Sequence, residues 1–229
     1  MKRGFIRAVF GDVRSPSLKS ETLRISRNLF NTPFVVYVMG KDNFEHLKGV
    51  GFNCVLIHPD PCMFDMKKYL WRNKIEAYRY AMEEDGYDEI VFLDWDCVPV
   101  KPLPRTFWQE MGKKECIQGN LYKLKQRMSA WRRSRRAVSY SINTGFLYIR
   151  NKFIPSQIIK VWNSFPDQEF WRYNDERPTA YFIDKMTGGW IGEDKWWDRF
   201  EPYCCNMGKY SAYSTDLLKT KNECFRHGL

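Results

Sequence analysis

The stretch that decides the fold is Glu89-Ile-Val-Phe-Leu-Asp94-Trp95-Asp96-Cys-Val-Pro-Val100. Its four consecutive large apolar residues, Ile90 to Leu93, indicate a strand that is buried on both faces of a sheet. Two carboxylates follow where this run stops, and in open α/β sheets ligands bind at the carboxyl ends of the strands. We therefore expect Asp94 and Asp96 to face a ligand, in an arrangement suited to holding a divalent cation against a diphosphate.

Three other β-rich runs precede this one, and helical patterns separate them. The runs are Phe5 to Phe10, Phe34 to Met39 and Phe52 to Ile57, and the helices are predicted over Ser17 to Leu29, Asn43 to Lys48 and Met66 to Glu84. Alternation of short strands with helices is typical of a parallel α/β sheet. The predicted fold class is therefore α/β, a single domain with a mostly parallel or mixed central sheet flanked by helices.

The second half of the chain has a less regular pattern. It predicts strands around Cys116 to Gly119 and Gly145 to Ile149, followed by helices near Pro155 to Ser164 and Asp175 to Met186. The total length of 229 residues is enough for one domain with a full apolar core.

Lys74 is the one charged residue on an otherwise apolar stripe of its predicted helix. It shares that stripe with Leu70, Ala77 and Ala81, so its ammonium should lie near the sheet, where an unpaired charge is costly and needs an anion. The alternative is that the long side chain extends to solvent.

Composition narrows the class of protein. The net charge of +10 indicates an anionic partner such as a nucleotide diphosphate, a nucleic acid, a membrane surface or an acidic glycan. The seven cysteines lack Cys-x-x-Cys spacing, which favours reduced thiols over a disulfide framework or a zinc site. Because the N-terminus has no apolar segment and no window approaches 18 apolar residues, we expect a soluble, cytoplasmic monomer without a signal peptide or transmembrane segment.

With these features the chain resembles the GT-A-type glycosyltransferases, nucleotide-sugar-dependent enzymes that carry a DxD motif at the end of a buried strand. The matching parts follow the family's order between Ile6 and His227. They are Val9-Phe10-Gly11-Asp12, Arg72-Asn-Lys74-Ile-Glu-Ala, Phe92-Leu-Asp94-Trp95-Asp96 and Ile142-Asn143-Thr144-Gly145-Phe-Leu-Tyr-Ile-Arg. The resemblance implies a single GT-A domain over residues 1–229, with a Rossmann-like nucleotide-binding fold that divides into a nucleotide-binding part (1–104) and an acceptor-binding part (105–229).

The resemblance also implies which residues bind the donor. The implied donor-site residues are Phe10, Gly11 and Asp12 beside the nucleobase and ribose, Lys74 near the phosphates, Trp95 within the DxD motif, and Asn143 and Thr144 near the donor sugar. Asp94 would face the ribose or the metal, and Asp96 would bind the metal, Mn²⁺ or Mg²⁺. In several such families a late histidine completes the metal site, and His227 is the candidate here; the alternative is a disordered C-terminal histidine.

The general base is less directly indicated. Gly188-Gly-Trp190-Ile-Gly192-Glu193-Asp194 resembles the acceptor segment of some inverting galactosyltransferases, whose Asp deprotonates the acceptor hydroxyl, and this implies Asp194 with Glu193 as catalytic acids. The segment departs from that pattern because Trp190-Ile191 interrupts the glycines. A rival is Asn174-Asp175-Glu176, which resembles a helix-starting acidic pair in other branches of the family and whose simpler role is N-capping. A further alternative is that Glu193 and Asp194 are surface acids.

The resemblance therefore implies a metal-dependent hexosyl- or pentosyltransferase that moves a sugar from a nucleotide sugar, UDP-linked, to a glycan or glycoprotein acceptor by an inverting mechanism. The alternative is a basic nucleic-acid-binding protein or a metal-dependent nucleotidyltransferase, in which the run Trp131 to Arg136 would hold backbone phosphates. No helix-turn-helix, zinc spacing or RNP pattern is present, so nucleic acid is not the expected partner.

Overall fold

Six strands form the central sheet of the protein. They are β1 (Arg3–Val9), β2 (Phe34–Met39), β3 (Cys54–His58), β4 (Glu89–Leu93), β6 (Ile117–Leu121) and β7 (Ile142–Ile149). This computed structural model describes residues 1–11, 34–63, 71–95, 97–99, 103–112, 117–121, 142–164, 175–187, 204–206 and 225–227.

The strand order is β3-β2-β1-β4-β7-β6. The first four strands of this order run parallel, and β7 is antiparallel to both β4 and β6. The predicted mixed sheet flanked by helices is thus confirmed. Because the chain moves outward from β1 to β2 and β3 and then returns to β4 on the other side, the topological switch point lies between β1 and β4, where α/β folds bind their ligands.

Helices cover both faces of this sheet. They are α1 (Lys41–Gly49), α2 (Arg72–Arg79), α3 (Phe107–Gly112), α4 (Ile154–Asn163) and α5 (Glu176–Thr187). One apolar layer packs the sheet against α2, α4 and α5, and it includes Ile75, Ile158 and Ala180. The other packs it against α1 and α3, and it includes Leu47 and Phe107. Since both faces are covered, all five residues of β4 are buried, as the unbroken apolar run predicts.

Two of the predicted helices need comment. The one predicted over residues 17–29 lies outside the described part of the chain. The one predicted to run to Glu84 is α-helical only to Arg79, and Tyr80–Glu84 forms a π-helical turn. Asp85 donates its N–H to the carbonyl of Tyr80, five residues earlier, at 3.0 Å. Tyr37 donates its hydroxyl to the Asp85 carboxylate at 2.6 Å, which anchors this wider turn to β2.

A second, smaller sheet was not indicated by the sequence. It consists of β5 (Cys97–Pro99), β8 (Cys204–Asn206) and β9 (Phe225–His227), in the order β5-β9-β8. Strand β9 is antiparallel to β5, with His227 opposite Cys97. The late part of the chain therefore pairs with β5, the strand that directly follows the acidic motif Asp94-Trp95-Asp96 in the sequence.

The sequence predicted no membrane-spanning segment. Within the described ranges, no helix is both long enough and apolar enough to cross a membrane.

We expect the α4 side of the core to be sensitive to loss of volume. Ile158 is fully buried in α4, so Ile158→Ala should lower the free energy of unfolding by about 2–5 kcal/mol through lost burial and a residual cavity. Lys160→Ala, an exposed position on the same helix, should change it by no more than about 0.5 kcal/mol. Urea unfolding of the two variants measures both effects, and equal losses would contradict this packing of α4.

Candidate functional site

The carboxyl ends of β1 and β4 lie side by side at the switch point, and each carries residues singled out from the sequence. Phe10 and Gly11 follow β1, and Asp94 and Trp95 follow β4. Gly11 has a φ of 81°, in the left-handed region that favours glycine. Its N–H donates to the carbonyl of Pro61 at 2.7 Å, and its carbonyl accepts from Asn43 Nδ2 at 2.7 Å. The backbone at this point is therefore held in one conformation.

Lys74 lies beneath this edge of the sheet in a cluster of polar side chains. Its side chain is only 2% exposed, and Nζ lies 2.9 Å from Asp94 Oδ1 and 3.2 Å from Asp175 Oδ2. It also donates to Thr144 Oγ1 at 3.2 Å, and the Thr144 hydroxyl in turn donates to Asp175 Oδ2 at 2.6 Å. The expectation that this ammonium lies near the sheet and pairs with an anion is met by two protein carboxylates, and the alternative of extension to solvent is excluded.

Four separate elements bring these groups together. Helix α2 turns Lys74 toward the sheet, together with the buried residue Ala77. Asp94 leaves β4, and its N–H donates at 2.8 Å to the carbonyl of Gly145 in the neighbouring strand β7, which also carries Thr144. Asp175 directly precedes α5, and its carbonyl accepts the Thr179 hydroxyl at 2.8 Å.

The ammonium of Lys74 faces the carboxylates of Asp94 and Asp175, and Glu176 is close enough to raise its pKa as well, so acidic groups outnumber basic ones in this cluster. Burial alone would lower the pKa of Lys74, but attraction to Asp175 and Asp94 outweighs burial and raises it above the ordinary value of 10.5. Burial raises the pKa of Asp175 above its ordinary value of 3.8, assisted by repulsion from Asp94 and opposed by Lys74 and Thr144. Lys74 thus stays charged at neutral pH, and the cluster favours a further positive charge near its exposed side.

Asp94 is the member of the cluster that reaches solvent. Its side chain is 28% exposed, whereas that of Asp175 is 6% exposed. A tight turn follows it, because the N–H of Cys97 donates to the carbonyl of Asp94 at 2.9 Å. Asp94 can therefore interact with a bound ligand while Lys74 fixes one of its oxygens.

The two aromatic donor-site candidates, Phe10 and Trp95, both pack against other aromatic rings. The ring of Phe10 meets that of Trp71 edge to face, with 6.2 Å between centroids. Trp95 turns toward the sheet, where its Nε1 donates to the carbonyl of Ala8 at 2.8 Å and its ring meets Phe52 at 6.4 Å. Trp95 therefore has a packing role that the DxD pattern did not indicate.

Several predicted site residues lie outside the part of the chain that the structure describes. They are Asp12, Asp96, Glu193, Asp194 and the basic run 131–136. For two others the structure gives the backbone only: Asn143 belongs to β7, and His227 belongs to β9. The pairing of His227 with Cys97 brings its backbone next to the segment that contains the acidic motif.

Sequence reasoning treated Asp175 mainly as a helix cap. It does directly precede α5, but its carboxylate is buried against Lys74 and Thr144. The signal that could have identified it is an acid at a helix start within a chain that already contains a buried lysine in need of an anion. Sequence spacing alone cannot show which acid supplies that partner.

The variant Lys74→Met should lower the free energy of unfolding by an amount that depends on pH, because the ammonium compensates the charge of buried carboxylates. Removing the ammonium from the buried carboxylates should lower the free energy of unfolding by about 3–5 kcal/mol near pH 7. An acid whose pKa is raised by folding stabilises the folded state as the pH falls through its folded-state pKa, so protonation of Asp175 should make this loss smaller in mildly acidic buffer than near pH 7. Urea unfolding at the two pH values tests this, with Lys160→Met as an exposed-lysine control. A loss of the same size at both would mean that Asp175 does not carry the charge that Lys74 compensates.

Comparison with known proteins bears on the fold. No model of a known protein family matches the sequence, and no curated protein matches it. The crystal structure of apo mouse xyloside xylosyltransferase 1 superposes with a TM-score of 0.52 at 11% identity, over 100% of this chain and 98% of that chain. A glycosyltransferase involved in glycosylation of the major capsid of PBCV-1 gives a TM-score of 0.49 at 14% identity, over 99% of this chain and 92% of that chain. The first of these likenesses shows that the chain has the same fold as the mouse xylosyltransferase.

Proposed function

We propose that the protein is a metal-dependent GT-A-type glycosyltransferase that transfers a sugar from a nucleotide-sugar donor, UDP-linked, to a glycan or glycoprotein acceptor. The observation that carries this proposal is the position of Asp94. It lies at the carboxyl end of a fully buried strand, at the switch point of the sheet, and it is held there by a buried lysine. The fold shared with a xylosyltransferase is consistent with this chemistry.

The chemistry of the acidic cluster fits a hard divalent cation. Within the described residues no group of three or more His, Cys, Asp or Glu side chains converges on one point. Asp94 is nevertheless a partly exposed carboxylate on a net-negative cluster, and Mn²⁺ and Mg²⁺ favour carboxylate oxygens. We propose that Asp94 and Asp96 hold the ion and that His227 contributes from β9. When bound, such an ion would neutralise negative charge on the leaving nucleoside diphosphate.

Lys74 supports this site from below. Since its ammonium is buried and donates to both Asp94 and Thr144, it orients the Asp94 carboxylate. Because this ammonium is buried and paired with two carboxylates, we propose that Lys74 acts on the donor diphosphate through Asp94 and the ion that Asp94 holds. Thr144 links Lys74 to Asp175, and with its neighbour Asn143 it would line the donor-sugar side of the site.

The nucleobase of the donor would lie at the carboxyl end of β1. Phe10 and Gly11 emerge at the switch point, and the contacts of Gly11 with Asn43 and Pro61 hold its backbone rigid. A rigid backbone next to the aromatic pair Phe10 and Trp71 suits a flat heterocycle with polar edges. We propose that these residues, with Asp12, bind the nucleobase and ribose.

The environment of Asp175 bears on the choice of general base. A general base must come within hydrogen-bonding reach of the acceptor hydroxyl. Asp175 is 4% exposed, and its carboxylate already interacts with Lys74 and Thr144. This disfavours Asp175 in that role and supports Asp194, with Glu193 beside it, as the base of an inverting transfer.

Asp96→Ala should abolish Mn²⁺-dependent UDP binding while the protein stays folded, because an acid that follows the apolar run of a strand in the sequence is not expected to support the core. Isothermal titration with UDP in the presence and absence of Mn²⁺ measures this. Asp60→Ala removes an exposed acid after β3 and serves as a matched control. Undiminished Mn²⁺-dependent affinity in the Asp96 variant would refute the metal assignment.

Asp194→Asn should keep UDP affinity and lower turnover by roughly 10²-fold or more, because a base acts in the transfer step and not in donor binding. Glu176→Gln and Asp175→Asn should be measured beside it, first for donor hydrolysis with a panel of nucleotide sugars and then for transfer. If Asp194→Asn transfers sugar at nearly the wild-type rate while Asp175→Asn folds and is inactive, the base lies before α5 and the assignment is wrong.

A further inference from the structure

Arg7 is a buried arginine in the middle of strand β1. It is 0% exposed, and by strand alternation it shares a face with Phe5 and Val9, which belong to the apolar layer under α1 and α3. Burying an ionised side chain in such a layer is unfavourable unless specific contacts compensate its charge. An apolar residue of similar volume would fill this position without that desolvation penalty. The role of Arg7 should therefore be sought in the groups that its guanidinium contacts.

Arg7 contacts the turn from Asp94 to Cys97, which contains both acids of the motif and is called the acidic turn below. Arg7 Nη2 donates to the carbonyl of Cys97 at 2.9 Å, and Nη1 lies 3.4 Å from the carbonyl of Trp95. The guanidinium carbon also lies 4.8 Å from the centre of the Trp95 ring, in a cation–π arrangement. Trp95 and Cys97 are the residues on either side of Asp96 in the sequence.

The guanidinium geometry suits this task. Its planar fork presents donors in fixed directions, so one side chain can hold two backbone carbonyls at once. The turn has two further connections: Cys97 N–H to the Asp94 carbonyl at 2.9 Å, and Trp95 Nε1 to the Ala8 carbonyl at 2.8 Å. Arg7 and Ala8 are neighbours in β1, so that strand serves as a rigid base for the turn.

We propose that Arg7 is a positioning residue that fixes the backbone on both sides of Asp96 and so sets the affinity of the metal and diphosphate site. This inference rests on the proposed function. Arg7 acts through the turn and not by contact with the ligand. Residues that orient metal ligands in this indirect way typically change metal affinity by about 10- to 100-fold when they are replaced.

The test compares three variants of the full chain. Arg7→Met removes the charge and all donors while keeping a long side chain, and Arg7→Lys keeps the charge but offers a single donor group. Phe5→Leu is the matched control, because Phe5 is buried on the same face of β1 and packs on Phe107 and Trp108. Two quantities are measured for each: the Mn²⁺-dependent affinity for UDP, and the hydrogen-exchange rate of the Cys97 amide without ligand.

We expect Arg7→Met to weaken the Mn²⁺-dependent affinity by about 10- to 100-fold and to speed exchange at Cys97, with Arg7→Lys in between and Phe5→Leu near wild type. The inference is overturned if Arg7→Met leaves both quantities unchanged, or if Phe5→Leu changes them equally. If Arg7→Met does not fold, the same two measurements on Arg7→Lys decide. Absence of Mn²⁺-dependent UDP binding in the wild-type protein would instead count against the proposed function, and exchange at Cys97 would still report whether Arg7 fixes the turn.

Discussion

One buried ammonium holds the site region together. Lys74 is surrounded by Asp94, Asp175 and Thr144, which come from three segments far apart in the chain. A buried charge of this kind is tolerated only with close, well-directed partners. Helix α2, the end of β4, the beginning of β7 and the start of α5 must therefore be placed correctly at the same time. The electrostatic requirement of a single side chain thus constrains the geometry of one whole edge of the sheet.

The sheet topology explains why this cluster forms where it does. Parallel strands β1 and β4 end together at the switch point, and β7 runs back beside β4, so Thr144 and Gly145 lie next to Asp94. The arrangement separates a buried interior of the site from a solvent-facing side. Lys74 and Asp175 belong to the interior, and Asp94 lies at the boundary between the two. A boundary residue with one oxygen fixed from within is well suited to meet a charged ligand from outside.

The sequence predicted those features that depend on local pattern. The unbroken apolar run before Asp94 predicted a strand buried on both faces, and helical spacing predicted that Lys74 faces the sheet, because both are periodicity effects. Partners that are distant in the chain were not predictable in this way. From the sequence, Asp175 is a helix cap, and only the structure shows its contact with Lys74. Arg7 is a single polar residue in a predicted strand, and only the structure places it beside the carbonyls of Trp95 and Cys97. The π-helical turn after Arg79 is followed by Asp85, whose carboxylate accepts a hydrogen bond from Tyr37, a contact between residues too distant in the chain to be predicted from local pattern.

The pairing of β9 with β5 has a consequence for biosynthesis. The ribosome makes the acidic turn and β5 early, but the strand that pairs with β5 begins only at Phe225. A nascent chain that has completed its parallel strands β1 to β4 still lacks the strand that pairs with β5, and closing so long a loop adds an entropic cost to folding. The small sheet therefore forms after translation has passed Phe225, and a chain interrupted before that point keeps most of its core while the strand after the acidic turn lacks its neighbour.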